Sequence, residues 1–145
     1  MPTAALESAF RATRYRVSTA VGVFDLRVGV YDVAFERYLC QQGIADWGIV
    51  TAFNPGRRVT DAENRQAQMR LRNKLEASAC VFLAACNLAE GEAWPPEESF
   101  FVASVDEDWL RALAGEFSQL AFICGAAGAA PRLVWIGPGA ARMCS

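Results

Sequence analysis

Asn54, Pro55 and Gly56 close an apolar run, residues 47–53, and lead toward a helix start, with Arg57 and Arg58 next in the chain. A helix N-terminus carries unpaired amides and a partial positive charge, so these amides and the two guanidinium groups could together hold a carboxylate or a phosphate. The plainer reading is a strand-to-helix turn, because Asn and Gly tolerate left-handed geometry and Pro fixes φ. No Walker or dinucleotide glycine pattern sharpens the anion reading. Asn64 precedes Leu71 by two helical turns, on the core-facing stripe, where a polar amide needs partners. The nearest candidates are backbone groups of the 54–56 loop, which makes bracing the first reading and ligand contact the second. Trp94, Pro95, Pro96, Glu97, Glu98 and Ser99 place a large aromatic and two acids beside a strand. They read first as a rigid surface loop whose tryptophan covers the sheet edge, and second as a binding lip. Neighbours on a strand point to opposite faces, so Glu97 and Glu98 are a poor pair for acid–base work or a cation if the segment is extended.

The chain has no histidine, which excludes Ser-His and Cys-His catalysis within it and removes the commonest metal ligand. Its five cysteines, Cys40, Cys80, Cys86, Cys124 and Cys144, form no C-x-x-C pair, so neither a zinc nor a thioredoxin-like site is expected. Cys80, Cys86 and Cys124 lie in apolar runs and read as reduced core residues. Arginines at 65, 70 and 72 with Lys74 could touch nucleic acid through its phosphates. The net charge of −2, the nearby Glu63 and Glu76, and the absence of interleaved aromatics favour a solvated helix face instead.

These residues need a scaffold, and 145 residues suffice for one domain, residues 1–145, with a core that needs no disulfide or metal. Glu7, Arg11, Arg14 and Arg16 interrupt any secretion signal, and the longest apolar segments are too short to span a bilayer. A cytoplasmic location with no membrane contact is the expectation. Residues 6–12 predict a short helix, and 15–20 and 23–30 predict two strands of a hairpin. Asp32 and Gly43 bracket a helix whose Phe35, Tyr38, Leu39 and Gln42 share a face. The run 47–53 suits a central strand covered on both sides. Thr60 and Glu63 have capping-box spacing, and the helix they open carries Ala67, Leu71 and Leu75 to about residue 77. Strands follow at 80–85 and 100–105, then a helix capped by Asp106, then strands at 120–124 and 133–136. From residue 47 to 124 the order is strand, helix, strand, strand, helix, strand. The fold class predicted is α+β: a ferredoxin-like split β-α-β core, with an N-terminal helix and β-hairpin and an extra C-terminal strand.

Three segments carry a resemblance. They are Trp47-Gly-Ile-Val-Thr-Ala-Phe-Asn-Pro-Gly56 with Glu63-Asn64, Gly91-Glu-Ala-Trp-Pro-Pro-Glu-Glu-Ser-Phe-Phe-Val102, and Phe117-Ser-Gln-Leu-Ala-Phe-Ile123. With Tyr15-Arg-Val17 ahead of them, they resemble a bacterial domain-of-unknown-function family, number 3293 in that series, over nearly the whole chain. The family has no assigned activity, so the resemblance implies no catalytic residue.

The function expected is a non-catalytic binding or regulatory module for a small anionic ligand or a protein segment. Its site would comprise Asn54, Arg57, Arg58, Asn64, Trp94, Glu97 and Glu98, gathered at one end of the sheet, with no cofactor and no metal. The alternatives are an enzyme working through carboxylates and arginines, with or without a metal, and a nucleic-acid accessory protein.

Overall fold

The computed structural model describes residues 4–54, 57–90 and 95–136. In chain order its elements are α1 (Ala4–Ala12), β1 (Arg14–Thr19), β2 (Gly22–Leu26), α2 (Val33–Gln42), β3 (Asp46–Val50), α3 (Asp61–Ala77), β4 (Val81–Leu88), β5 (Glu97–Ala103), α4 (Glu107–Glu116), β6 (Ala121–Ala126) and β7 (Arg132–Trp135). Among the described residues the seven strands form one sheet, ordered β2-β1-β4-β5-β3-β6-β7, with every pairing antiparallel. Its centre is built by two crossovers. One carries the chain from β3 past β5 to β4 through α3, and the other from β5 past β3 to β6 through α4.

Alternation along the strands sorts the apolar side chains into two cores. On one face Val50, Phe100, Val102 and Phe122 meet Leu71 and Leu75 of α3 and Leu110 and Leu113 of α4. Both long crossover helices therefore cover the same side. On the other face Trp47, Ile49, Phe101 and Ile123 meet Phe35, Tyr38 and Leu39 of α2 and the hairpin residues Tyr15, Val17 and Leu26. Phe35 stands edge-on to both Trp47 and Phe101, with centroids 5.5 and 5.7 Å apart. The Trp47 indole lies across Gly125, its register partner on β6, where any side chain would collide with the ring.

The helix ends follow the cap residues. Phe35 N donates to Asp32 Oδ1 at 2.8 Å, and Gly43 closes α2 in the left-handed region at φ 69°. Thr60 and Glu63 form the reciprocal capping box, and Trp109 N donates to Asp106 Oδ1 at 2.8 Å.

Several boundaries differ from expectation. Residues 23–30 are not one strand: β2 ends at Leu26, and Val30 N turns back to Arg27 O at 3.2 Å. Gly29, at φ 80°, then donates to Pro131 O at 2.8 Å, which ties this turn to the segment before β7. β5 starts at Glu97, before the aromatic run that marked it, and stops at Ala103 because Ser104 takes φ 59° and donates its amide to Asp46 O. Gln42 is exposed rather than part of the buried face of α2. Of the three cysteines read as core, only Cys124 is buried; Cys80 and Cys86 are half-buried on β4 and its lead-in. Cys40, Cys80, Cys86 and Cys124 are free thiols, and Cys144 lies outside the described residues. No helix among the described residues is long and apolar enough to cross a membrane.

Candidate functional site

The apolar run 47–53 leaves the sheet after Val50, and the reason is a set of side chains on α3 and in the run itself. Ala52 N donates to Gln68 Oε1 at 3.0 Å, Phe53 N to Thr51 Oγ1 at 3.1 Å and Asn54 N to Asn64 Oδ1 at 2.7 Å. Three successive backbone amides thus find side-chain acceptors in place of a strand ladder. Asn64 and Gln68 are one helical turn apart, on the same buried stripe as Leu71 and Leu75. The Thr51 hydroxyl donates to Glu98 O at 2.6 Å, which still ties the departing chain to β5.

Asn54 is the hub of this end of the sheet. At φ 46° it occupies the left-handed region that Asn tolerates better than other side-chain-bearing residues. Its Oδ1 accepts from Val59 N at 3.2 Å and from Asn64 Nδ2 at 3.1 Å, and its Nδ2 donates to Glu97 Oε2 at 2.8 Å. Asn54, Asn64 and Glu97 are therefore one hydrogen-bonded chain running from α3 to β5.

Glu97 belongs to a polar row across three strands. Tyr15 on β1 is the register partner of Asn87 on β4, and Asn87 is the partner of Glu97 on β5. Register partners project to the same side, here the face that carries α2. Glu98 projects to the other side, in register with Cys86, which in turn faces Arg16; Arg16 binds Asp25 at 2.8 Å. The two carboxylates are thus on opposite faces of the sheet. Ser99 Oγ, buried behind Glu97, donates to Asn87 Oδ1 at 2.8 Å.

The row forms part of the wall of a chamber of about 160 Å³ at this end of the sheet. Tyr15, Thr51, Asn54, Asn87, Glu97 and Gln119 supply its polar groups, and Phe10, Ile49 and Phe53 are among its apolar ones. Gln119 Nε2 donates to Phe53 O at 3.1 Å, holding the rim of the loop. Phe10 of α1 lines the chamber and stands edge-on against Trp135 at 5.4 Å. Burial raises the Glu97 carboxyl above its ordinary value, and the hydrogen bond from Asn54 offsets only part of that rise. Burial likewise pushes the Tyr15 phenol upward, with the Glu97 charge adding to the rise; its hydroxyl donates to Phe10 O at 3.3 Å.

The sequence-derived site is thus assembled in part. Asn54, Asn64 and Glu97 come together. Arg57 and Arg58 are exposed and outside the chamber wall, and Glu98 faces away from it. Trp94 lies outside the described residues. Asn87, Gln68, Thr51, Tyr15 and Gln119 were missed as site residues. Asn87 and Gln68 had a signal: Asn87 is an amide in an otherwise apolar strand, and Gln68 an amide on the buried stripe of α3. Among the described residues no cluster of three His, Cys, Asp or Glu side chains could hold a metal ion. The basic face of α3 is exposed, with Arg72 paired to Glu76 and Lys74 to Glu116.

Fold and site together define an α+β protein with a partly open chamber whose wall carries side-chain amides and one half-buried carboxyl. Residues 50–122 match the family described as protein of unknown function DUF3293, and the chain belongs to that family. The match begins at the end of β3 and takes in the whole Asn54–Asn64–Glu97 chain, Asn87 and Gln119; Tyr15 and Phe10 precede it. No curated protein and no solved structure matches the chain.

Proposed function

We propose that this chain is a binding module for a small polar ligand, seated in the chamber beside Glu97 and carried on a ferredoxin-like core. The central strand order β4-β5-β3-β6, with α3 and α4 on one face, supports the ferredoxin-like description; β1, β2 and β7 extend it. One observation carries the functional reading. Glu97 is half-buried and held from one side by Asn54 through Oε2, and its Oε1 has no partner among the described residues. Burial raises this carboxyl, and its free oxygen is open to a donor from a bound molecule. The two cations that prompted the expectation of an anion, Arg57 and Arg58, do not line the chamber. The reading therefore moves from an anion to a ligand bearing N–H or O–H donors.

The raised Glu97 carboxyl also favours a carboxylate-based enzyme, since such groups serve as general acids and bases. No second carboxylate and no cation shares the chamber wall among the described residues, so binding is the better-supported role.

The test is a thermal-shift screen of neutral, cationic and anionic small molecules against the wild type and Glu97→Gln. A true occupant at about 100 times its Kd adds about 2.7 kcal/mol to wild-type stability and markedly less to the variant. NMR shifts should centre on Thr51, Asn87 and Gln119. Hits that ignore Glu97→Gln and perturb other regions would refute the reading.

A further inference from the structure

A second chamber of about 180 Å³ adjoins the first, sharing Phe10, Tyr15, Asn87 and Glu97 with it. Its remaining described wall is small and mostly apolar: Ala9, Thr13, Ala89 and Pro95. The two chambers therefore differ in chemistry and meet at Glu97. The free groups of the first are mostly acceptors: Glu97 Oε1 and Gln119 Oε1 have no partner among the described residues, whereas Tyr15 Oη is spent on Phe10 O. Asn87 adds one donor, its Nδ2, which has no partner among the described residues, while its Oδ1 is taken by Ser99. No lysine or arginine occurs in either described wall. A cavity of about 150 Å³ is large enough for a benzene-sized group, so each chamber has room for one such fragment.

We propose that the paired chambers take a primary ammonium on a short apolar body, with the ammonium at Glu97 and the apolar body in the second chamber against Phe10 and Pro95. This rests on the chamber being the binding site and names its ligand class. An ammonium supplies the donors that Glu97 Oε1 and Gln119 Oε1 lack, and the countercharge absent from the walls. A charge-assisted hydrogen bond is among the stronger polar contacts a small ligand can make. A carboxylate ligand would meet Glu97 with like charge. The apolar chamber adds affinity in proportion to the surface it removes from water. Phe10 lines both chambers, so its ring bounds the space open to the body.

The experiment is calorimetric titration of the full chain with 2-phenylethylammonium, 2-phenylethanol, 3-phenylpropionate and methylammonium. The aryl ammonium should bind at least about tenfold tighter than the alcohol, the low end for a hydrogen bond to a charged group. The carboxylate should bind more weakly than the alcohol. Glu97→Gln should bring the ammonium to the level of the alcohol. Phe10→Ala should narrow the gap between methylammonium and the aryl ammonium. If either variant loses its fold by circular dichroism, the four-probe ranking on the wild type decides. Equal binding of ammonium and alcohol, tighter binding of the carboxylate, or no advantage of the aryl body would each overturn the proposal. Neutral binders that depend on Glu97 while ammonium shows no preference would overturn the ligand class and leave the binding site standing. A chamber that no small molecule occupies would overturn both.

Discussion

Replacing Asn54 tests the hub directly, and two substitutions separate its two roles. Asn54→Gly keeps the left-handed backbone at φ 46° but removes the hydrogen bonds to Val59 N, Asn64 Nδ2 and Glu97 Oε2. At about 0.5–1.5 kcal/mol net for each hydrogen bond, three lost bonds come to about 1.5–4.5 kcal/mol. Asn54 is only half-buried, so water can replace part of that, and about 1.5–3 kcal/mol is the expected loss. Asn54→Ala removes the same bonds and in addition forces a Cβ-bearing residue without a compensating side-chain hydrogen bond to stay left-handed, which costs about 1 kcal/mol more. The assay is urea unfolding at neutral pH, with the midpoint shifted and the m-value unchanged. For a chain of this length each kcal/mol also lowers Tm by about 3–5 °C. A Gly variant within about 0.5 kcal/mol of wild type would mean that the side-chain bonds carry no net stability, since that is the scatter of neutral surface changes. An Ala variant no worse than Gly would mean that the left-handed turn is not required.

Three further outcomes follow from the same structure. A carboxyl raised in the fold stabilises it below the ordinary glutamate value and loses that contribution as pH rises through the folded value, so wild type should lose stability relative to Glu97→Gln from about pH 4.5 upward; urea midpoints of both proteins across pH 4–8 check this, and a pH-independent difference would count against burial of Glu97. Gly125→Ala should cost about 3 kcal/mol, the upper end for overpacking, because the Trp47 indole above it is locked by Phe35 and Phe101 and cannot yield; a stable variant would show that the ring does not lie there. Alkylation of the native protein followed by mass spectrometry should label exposed Cys40 first, and Cys124 only on unfolding, since Cys124 is buried and burial raises its thiol; early labelling of Cys124 would overturn its place in the core.

Much of the scaffold was legible because its signals are local. Thr60 with Glu63, Asp32, Gly43 and Asp106 each marked a helix end through groups within four residues, and all four caps are formed. The core stripe of Ala67, Leu71 and Leu75 was equally plain, since helical period alone reveals it. What failed was local reasoning about non-local partners. Residues 51–53 read as strand because they are apolar or β-favouring, yet strand pairing depends on which acceptors are nearest. Gln68, Thr51 and Asn64 offered them first. Residues 27–30 failed in the same way, since the turn there is tied to Pro131, about a hundred residues along the chain.

The site follows the same division. Asn64 could be recognised as a brace, because a polar residue on a core stripe must find a partner, and the loop after β3 was the nearest supply. Its gathering with Glu97 at one end of the sheet was expected too, but the hydrogen-bonded link itself was not, because it passes through the Asn54 side chain across 43 residues. Asn87 and Tyr15 join Glu97 only through register between strands, which composition does not encode and which a one-residue slip would reverse. The arginines are the part of the expected site that the chamber wall does not include. Charge is conspicuous in a sequence whether or not it points at anything, and Arg57 and Arg58 lie outside the chamber. The residues that define the chamber are instead amides and a single acid, whose importance comes from burial and from hydrogen-bonding capacity left unused. In a chain without histidine, that unused capacity at Glu97 is the feature on which the proposed binding role rests.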